Sequence, residues 1–248
     1  MFMFFVSFHV ILCFIYTMTK KNNTFTPNKH VPKGFTILYE DIDIIVINKN
    51  SGLLTIGTER ERVHTAYSLL TNYVQKGNPK SKNRVFIVHR LDRDTSGLLI
   101  FAKNEKSKRF LQDNWQDFTK TYYALVHGVL TEKKGEITSY LIENNAYRVF
   151  STTNTAEGKF AKTGYEVLKE SESKSLVEVT LYTGRKNQIR VHFSEMNHPI
   201  IGDKTYGQAQ QDSTRLCLHS ASIEFVHPYS KDKMVFATEI PSFFKSLV

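Results

Sequence analysis

Apolar and polar residues alternate along this chain in a pattern that predicts more strands than helices. Over residues 35–49 the sequence FTILYEDIDIIVINK carries two β-branched runs separated by Glu40 and Asp41, and Asn50-Ser51-Gly52 follows as a turn signal, so a pair of strands is predicted. Further strand-like runs lie at 85–89, 98–102, 121–127, 165–168, 176–182, 216–225 and 234–237. Helical spacing appears at Ala66, Leu69, Leu70 and Tyr73, and again at Phe110, Leu111 and Trp115 behind a capping residue, Asn104. Ile189, His192, Phe193 and Met196 fit one face of a third helix, which makes His192 a packed residue before it is a general base. The strands are not regularly interleaved with long helices. The pattern therefore predicts an α+β fold, a mixed and largely antiparallel central sheet with flanking helices and loops, and disfavours a parallel βαβ architecture. Residues 76–83 (KGNPKSKN) read as an exposed basic loop and 208–214 as a polar one.

The N-terminal 17 residues, MFMFFVSFHVILCFIYT, break this pattern, being strongly apolar and free of charge. A membrane helix needs about 20 apolar residues, and an export signal begins with basic residues and ends at a small-residue cleavage site, neither of which is found here. The favoured reading is a start at Met18, with an anchor or an apolar extension as the other readings. The expected organisation is an apolar leader at 1–17, a basic polar tail at 18–34 and a catalytic domain at 35–248.

Composition changes the picture in two respects. Apolar residues make up 41% and charged residues 23% of 248, the usage of an ordinary folded domain. The formal net charge of +9 makes the surface attractive to polyanions such as nucleic acid. Cys13 and Cys217, the two cysteines, lie far apart without ligand-spaced partners, so no disulfide framework or zinc site is predicted. Cys217 reads as a small core residue, and the chain suits a reducing cytoplasm.

The chemistry concentrates in residues 88–103, VHRLDRDTSGLLIFAK, where a polar turn ending in Gly97 joins two apolar runs. Asp92, Asp94, Thr95 and Ser96 could simply hydrogen-bond a strand connection. However, HRLDRDTSGLLIFAK resembles the signature of the RluA family of pseudouridine synthases. ILYEDIDIIVINKNSGLL, KTYYALVHG, GKFAKTGYEVL, TGRKNQIRVHF, HPIIGDKTYG and LHSASIEFVHP resemble further segments of that family, in its order, so the likeness spans residues 35–241. It implies the pseudouridine synthase fold without the extra N-terminal RNA-binding domain of longer relatives. It also implies isomerisation of uridines in a ribosomal or transfer RNA stem-loop, ribosomal RNA being favoured, by a cytoplasmic monomer with no cofactor, no metal and no obligate protein partner.

Carried over residue by residue, the resemblance makes Asp92 the catalytic nucleophile, Tyr122 the active-site tyrosine and Arg190 the basic partner of Asp92. Arg90 becomes the RNA-contacting arginine that helps expel the target base, with His89, Arg93, Thr95, Arg185, Gln188 and Ile189 as further RNA contacts. Taken alone, Tyr122 reads equally as packing in an alternating strand, and Arg185 as a solvated arginine at a turn. The chain departs from the family in two places: Asn50 stands where it usually has proline, and Lys186-Asn187 where it usually has Thr-His or Ser-His.

These residue types suit the reaction. The bond from C1′ to N1 must break, the uracil must rotate, C5 must join C1′, and the C5 proton must leave. A carboxylate is the usual partner of an oxocarbenium-like C1′, as nucleophile or base. To stay ionised beside an uncharged base it needs a nearby cation, and a bidentate Arg190 would also fix its direction. Two other functions fit parts of the pattern: a non-catalytic RNA-binding module and a nucleoside hydrolase.

Overall fold

The computed structural model describes residues 32–248 apart from Arg60, Pro79, residues 208–212 and Thr214. The expectations for the leader, the Met18 start and most of the basic tail and polar loop thus fall outside the described residues.

β1 (Phe35–Glu40) and β2 (Ile44–Lys49) form the antiparallel pair that the sequence predicts. After α1 (Ala66–Val74) come the two-residue β3 (Phe86–Ile87), β4 (Ser96–Ala102), α2 (Glu105–Asp113) and β5 (Thr119–His127). The chain continues through β6 (Lys134–Glu143), β7 (Val149–Thr152), β8 (Lys159–Glu170), β9 (Lys174–Leu181) and α3 (Gln188–Glu195). It closes with β10 (Leu218–Val226), β11 (Lys233–Ala237) and the short α4 (Ser242–Lys245). One sheet takes in all eleven strands in the order β1-β2-β4-β10-β5-β9-β8-β6-β7, with β3 paired to β4 and β11 to β10. Every pairing is antiparallel except β4 with β10.

β2 and β4 are apolar almost throughout because both of their faces are covered. Ile45, Ile47, Leu99 and Phe101 pack under α1 with Ala66 and Leu70, while Ile44, Val46, Leu98 and Ile100 face the other way, against Leu111 of α2 and Phe118. A third cluster joins Ile189 and Phe193 of α3 to Ala124, Val126, Val177 and Val179. Asn104 caps α2 as predicted, its Oδ1 accepting from the Ser107 N–H at 2.8 Å. His192 is a packed histidine, fully buried between the hydroxyls of Ser139 (3.0 Å) and Thr163 (2.9 Å).

The run at 85–89 gives only two paired residues, because the chain leaves the sheet there and returns at Ser96. β6 and β7 were not legible, since half-exposed polar strands, β7 at the sheet edge and β6 next to it, carry little apolar alternation. Gly97 is required where β4 meets β10: its φ is +111°, and a Cβ would lie 2.2 Å from the Ser220 carbonyl oxygen. The close approach that it permits holds the start of β4, and so the end of the preceding loop. Among the described residues no helix is long and apolar enough to cross a membrane.

Candidate active site

The loop between β3 and β4 is clamped from behind by residues 49–55. The Thr55 hydroxyl donates to the Leu91 carbonyl at 2.8 Å and accepts from the Leu91 N–H at 3.1 Å. Lys49, fully buried, donates from Nζ to the carbonyls of Asn50, Leu53 and Arg93 at 2.9, 2.8 and 3.1 Å. Burial pushes its ammonium down to about 8, against the pull of Asp94 and Asp92. Ser51 Oγ donates to the Asp94 carbonyl at 2.7 Å. Asn50, the departure from proline, uses its freedom: its N–H donates to the Gly34 carbonyl at 2.8 Å, a bond that proline cannot make.

Held in this way, Asp92 enters a cavity of about 220 Å³ between the loop and the N-terminus of α3. Arg190, in the first turn of α3, donates from Nη1 to Asp92 Oδ2 at 3.1 Å. The bidentate grip expected there belongs to a different carboxylate. Arg190 Nε and Nη2 donate to Oδ2 and Oδ1 of Asp203, both at 2.7 Å, and the Asp203 side chain is fully buried. The N–H groups of Thr205 and Tyr206 also donate to Asp203 Oδ1, at 2.9 and 3.0 Å. Burial alone would raise the Asp203 pKa, but the Arg190 guanidinium and the two N–H groups hold it below the usual range. Burial likewise disfavours the Arg190 cation, and the Asp203 and Asp92 carboxylates more than offset it, so its pKa is raised.

Two further groups complete this frame. The Tyr206 ring lies against the guanidinium at 5.0 Å, and Asn187, in left-handed backbone at φ +53°, accepts from Arg190 Nη1 at 3.1 Å. Asn187 Nδ2 donates to Tyr206 Oη at 3.2 Å, so the residue that replaces the family's histidine is tied into the arginine's surroundings. Asp203, Tyr206 and Asn187 received no role from the sequence. Asp203 and Tyr206 lie in GDKTYG, whose carboxylate was the one available signal.

Tyr122 lines the same cavity from β5 and is half-buried. Burial, and then the nearby Asp92 charge, push its phenol up to about 12, so it is protonated at neutral pH. Arg90 lies at the exposed mouth of the cavity without a carboxylate partner among the described residues. Thr95 and Ile189 are buried in its wall. Arg185 lines it while donating from Nε to the Phe160 carbonyl at 2.9 Å, and Lys186 pairs with Glu143. Gln188 is buried and fully used: Oε1 accepts from Thr183 Oγ1 and the Arg185 N–H, and Nε2 donates to the Lys162 carbonyl and Thr163 Oγ1. It shapes the turn before α3.

Two expected contacts lie outside the cavity. His89 stacks on Trp115 at 4.2 Å and accepts from the Ile100 N–H at 3.1 Å; burial, with Lys120 nearby, holds it down to about 3 and hence neutral. Arg93 donates from Nε to the Gly52 carbonyl at 3.2 Å. Asp41, Asp43 and His227 come together elsewhere, at a spacing that could suit a metal ion. Ordinary hydrogen bonds account for that cluster: His227 Nδ1 accepts from the N–H groups of Tyr229 and Ser230, which leaves Nε2 to donate to Asp41 at 2.9 Å.

A strand-rich mixed sheet of this kind is the class of architecture found in solved pseudouridylate synthases. The human RNA Pseudouridylate Synthase Domain Containing 4 superposes with a TM-score of 0.70 at 22% identity, covering 84% of this chain and 90% of that one. The human RNA Pseudouridylate Synthase Domain Containing 1 gives 0.68 at 24%, covering 87% and 86%. Both show the fold. Residues 43–195 match the RNA pseudouridylate synthase family, and the chain belongs to that family.

Among curated relatives, the uncharacterized RNA pseudouridine synthase MG209 of Mycoplasma genitalium is 40% identical over 205 residues, 81% of this chain and 65% of that one. The dual-specificity RNA pseudouridine synthase RluA of Vibrio cholerae is 36% identical over 199 residues, 78% of each chain. The ribosomal large subunit pseudouridine synthase C of Buchnera aphidicola is 34% identical over 229 residues, 86% of this chain and 69% of that one. This chain thus spans about two thirds of the length of several curated relatives that it matches.

Proposed function

We propose that the protein isomerises uridine to pseudouridine in a folded RNA, with Asp92 as the group that acts at the sugar. The observation that carries this reading is the Asp92–Arg190 pair, closed by Tyr122, in a cavity of about 220 Å³. Arg190 aims the carboxylate through a charge-assisted hydrogen bond, and Asp203 fixes Arg190 in turn. Asp92 attacks C1′, or supports its oxocarbenium character, as N1 departs. The freed uracil anion rotates against the Tyr122 ring until C5 bonds to C1′, displacing Asp92 where it had bonded to the sugar; the C5 proton is then lost to water and N1 takes one up. The phenol, protonated at neutral pH, serves as a stacking platform and a hydrogen-bond group near that proton.

Family membership supports an RNA as the substrate. The name of the Buchnera relative favours ribosomal RNA as one target class, and the reading is of a cytoplasmic monomer that needs no cofactor or metal. In the test, a transcript tritiated at uracil C5 releases label to water, one tritium for each pseudouridine formed, at the same rate with or without a chelator. Loss of activity with chelator and its return with metal would refute the cofactor-free route. Accumulation of free uracil would assign a hydrolase.

Arg90 is suited to fill the place of an extruded base. Extrusion costs a few kcal/mol from a duplex and far less from an unpaired position. Arg90→Ala is therefore expected to slow turnover on a stacked or paired target by about tenfold, and to have little effect when the same uridine is unpaired by design. Equal loss on both transcripts would make Arg90 a simple phosphate contact.

A further inference from the structure

We infer that a second cavity, behind the catalytic loop, is an additional docking site for the RNA backbone. This inference rests on the proposed action on RNA. Residues 92–96 form a wall between two cavities: Asp92 and Thr95 line the catalytic one, while Asp94 and Ser96 line the other, which has a volume of about 860 Å³. The split at Thr95 and Ser96 follows from the alternation of side chains where the chain enters β4. Four cationic residues line the second cavity, Lys49, Lys204, Arg215 and Lys245, against two carboxylates, Asp94 and Glu239.

None of these cations has a carboxylate hydrogen-bond partner among the described residues. Lys49 spends its three donors on carbonyls and adds only long-range positive charge. Arg215 donates from Nη2 to Ser96 Oγ at 2.8 Å and lies over the rings of Phe243 and Phe244, and its Nε is buried without an acceptor. His219 adds no charge. It joins Ser96 Oγ at 2.8 Å to Thr238 Oγ1 at 2.8 Å, and burial, with Arg215 nearby, holds it down to about 4. Lys204 and Lys245 are exposed at the rim.

Lys49 has its donors satisfied and Asp94 and Asp92 nearby, but a half-buried arginine with no carboxylate bonded to it and one N–H left without an acceptor is costly unless an anion completes it. Arginine, lysine and hydroxyl or amide side chains, here Asn50 and Ser242, are the usual contacts of nucleic-acid phosphates. Because one wall separates the two cavities, a strand whose target nucleotide enters the first can cross the loop and set its flanking phosphates over the second.

The double variant Lys204→Glu/Lys245→Glu tests this in the full-length protein, both side chains being exposed. Its binding to an unmodified transcript of large-subunit ribosomal RNA, measured over a range of KCl, is expected to weaken by about tenfold, and the slope of log K against log salt to fall by roughly 1.5, as for two lost phosphate contacts. A matched variant, Lys106→Glu/Lys159→Glu, alters the net charge equally at exposed residues outside both cavities and is expected to change neither quantity by more than about a third of that. Unchanged RNA binding in the first variant, or an equal loss in the second, would overturn the docking site. Inorganic phosphate or pyrophosphate titrated into RNA-free protein separates a small-anion site. Submillimolar binding that the first variant abolishes, with RNA affinity intact, would also overturn it. Tritium release by the unmutated protein reports on the catalytic reading separately, so a failure of either idea is visible without the other.

Discussion

Replacing Asp92 by alanine is expected to lower single-turnover pseudouridine formation by at least about a thousandfold, while RNA affinity stays within a few fold. Among the described residues Asp92 is the one carboxylate lining the catalytic cavity, and the hydroxyls there, Thr95 and the protonated Tyr122, are weaker nucleophiles. It accepts one hydrogen bond from Arg190 and keeps 27% of its side chain exposed, so its removal creates little void and leaves Arg190 bound to Asp203. The fold should therefore survive, and thermal unfolding of the variant checks that it does. Binding is retained because backbone charge contacts supply most of the affinity of such proteins, and those cations are untouched. Turnover above a few per cent of the unmutated rate, in folded Asp92→Ala, would show that the carboxylate is not the reacting group.

The second large effect concerns a residue that touches no substrate. Asp203→Asn removes a buried charge that faces Arg190 through two 2.7 Å bonds, and it turns an amide N–H towards the guanidinium. Breaking a buried pair from one side costs on the order of 3 kcal/mol. Arg190 would also lose the partner that fixes its angle, and a misplaced catalytic group costs about a hundredfold in rate. The expected signature is a fall in kcat with KM little changed, since Asp203 is a positioning residue.

Stability should respond to pH as well. The folded pKa of Asp203 lies below its unfolded value, so its contribution is complete above about pH 4, the unfolded range of an aspartate, and is lost as pH falls through the folded value. The stability gap between the unmutated protein and Asp203→Asn should therefore narrow as pH is lowered below about 4, as followed by denaturant unfolding. A gap that stayed constant down to pH 2, or a variant with normal kcat, would show that Arg190 is held by other means.

Much of this architecture was legible in the residues themselves. Alternation along 35–49 and 98–102 marks strands whose odd and even positions meet different cores, and Asn104 announces α2, because these are local properties of a pleated or helical backbone. Segment likeness assigned Asp92, Tyr122 and Arg190 to one site, and the three line one cavity. The sequence alone could not decide how Arg190 divides its donors. Asp92 lies 98 residues away and Asp203 13, and only the seating of α3 on the sheet determines that the nearer carboxylate takes the bidentate bond and Asp92 the single one. The same holds for His89. It is adjacent to Arg90 in the chain, yet it stacks on Trp115 while Arg90 lines the catalytic cavity. Local pattern determines which face of an element a residue occupies; packing between distant elements determines which partner it meets there, since hydrogen-bond strength depends on distance and angle and not on position in the chain.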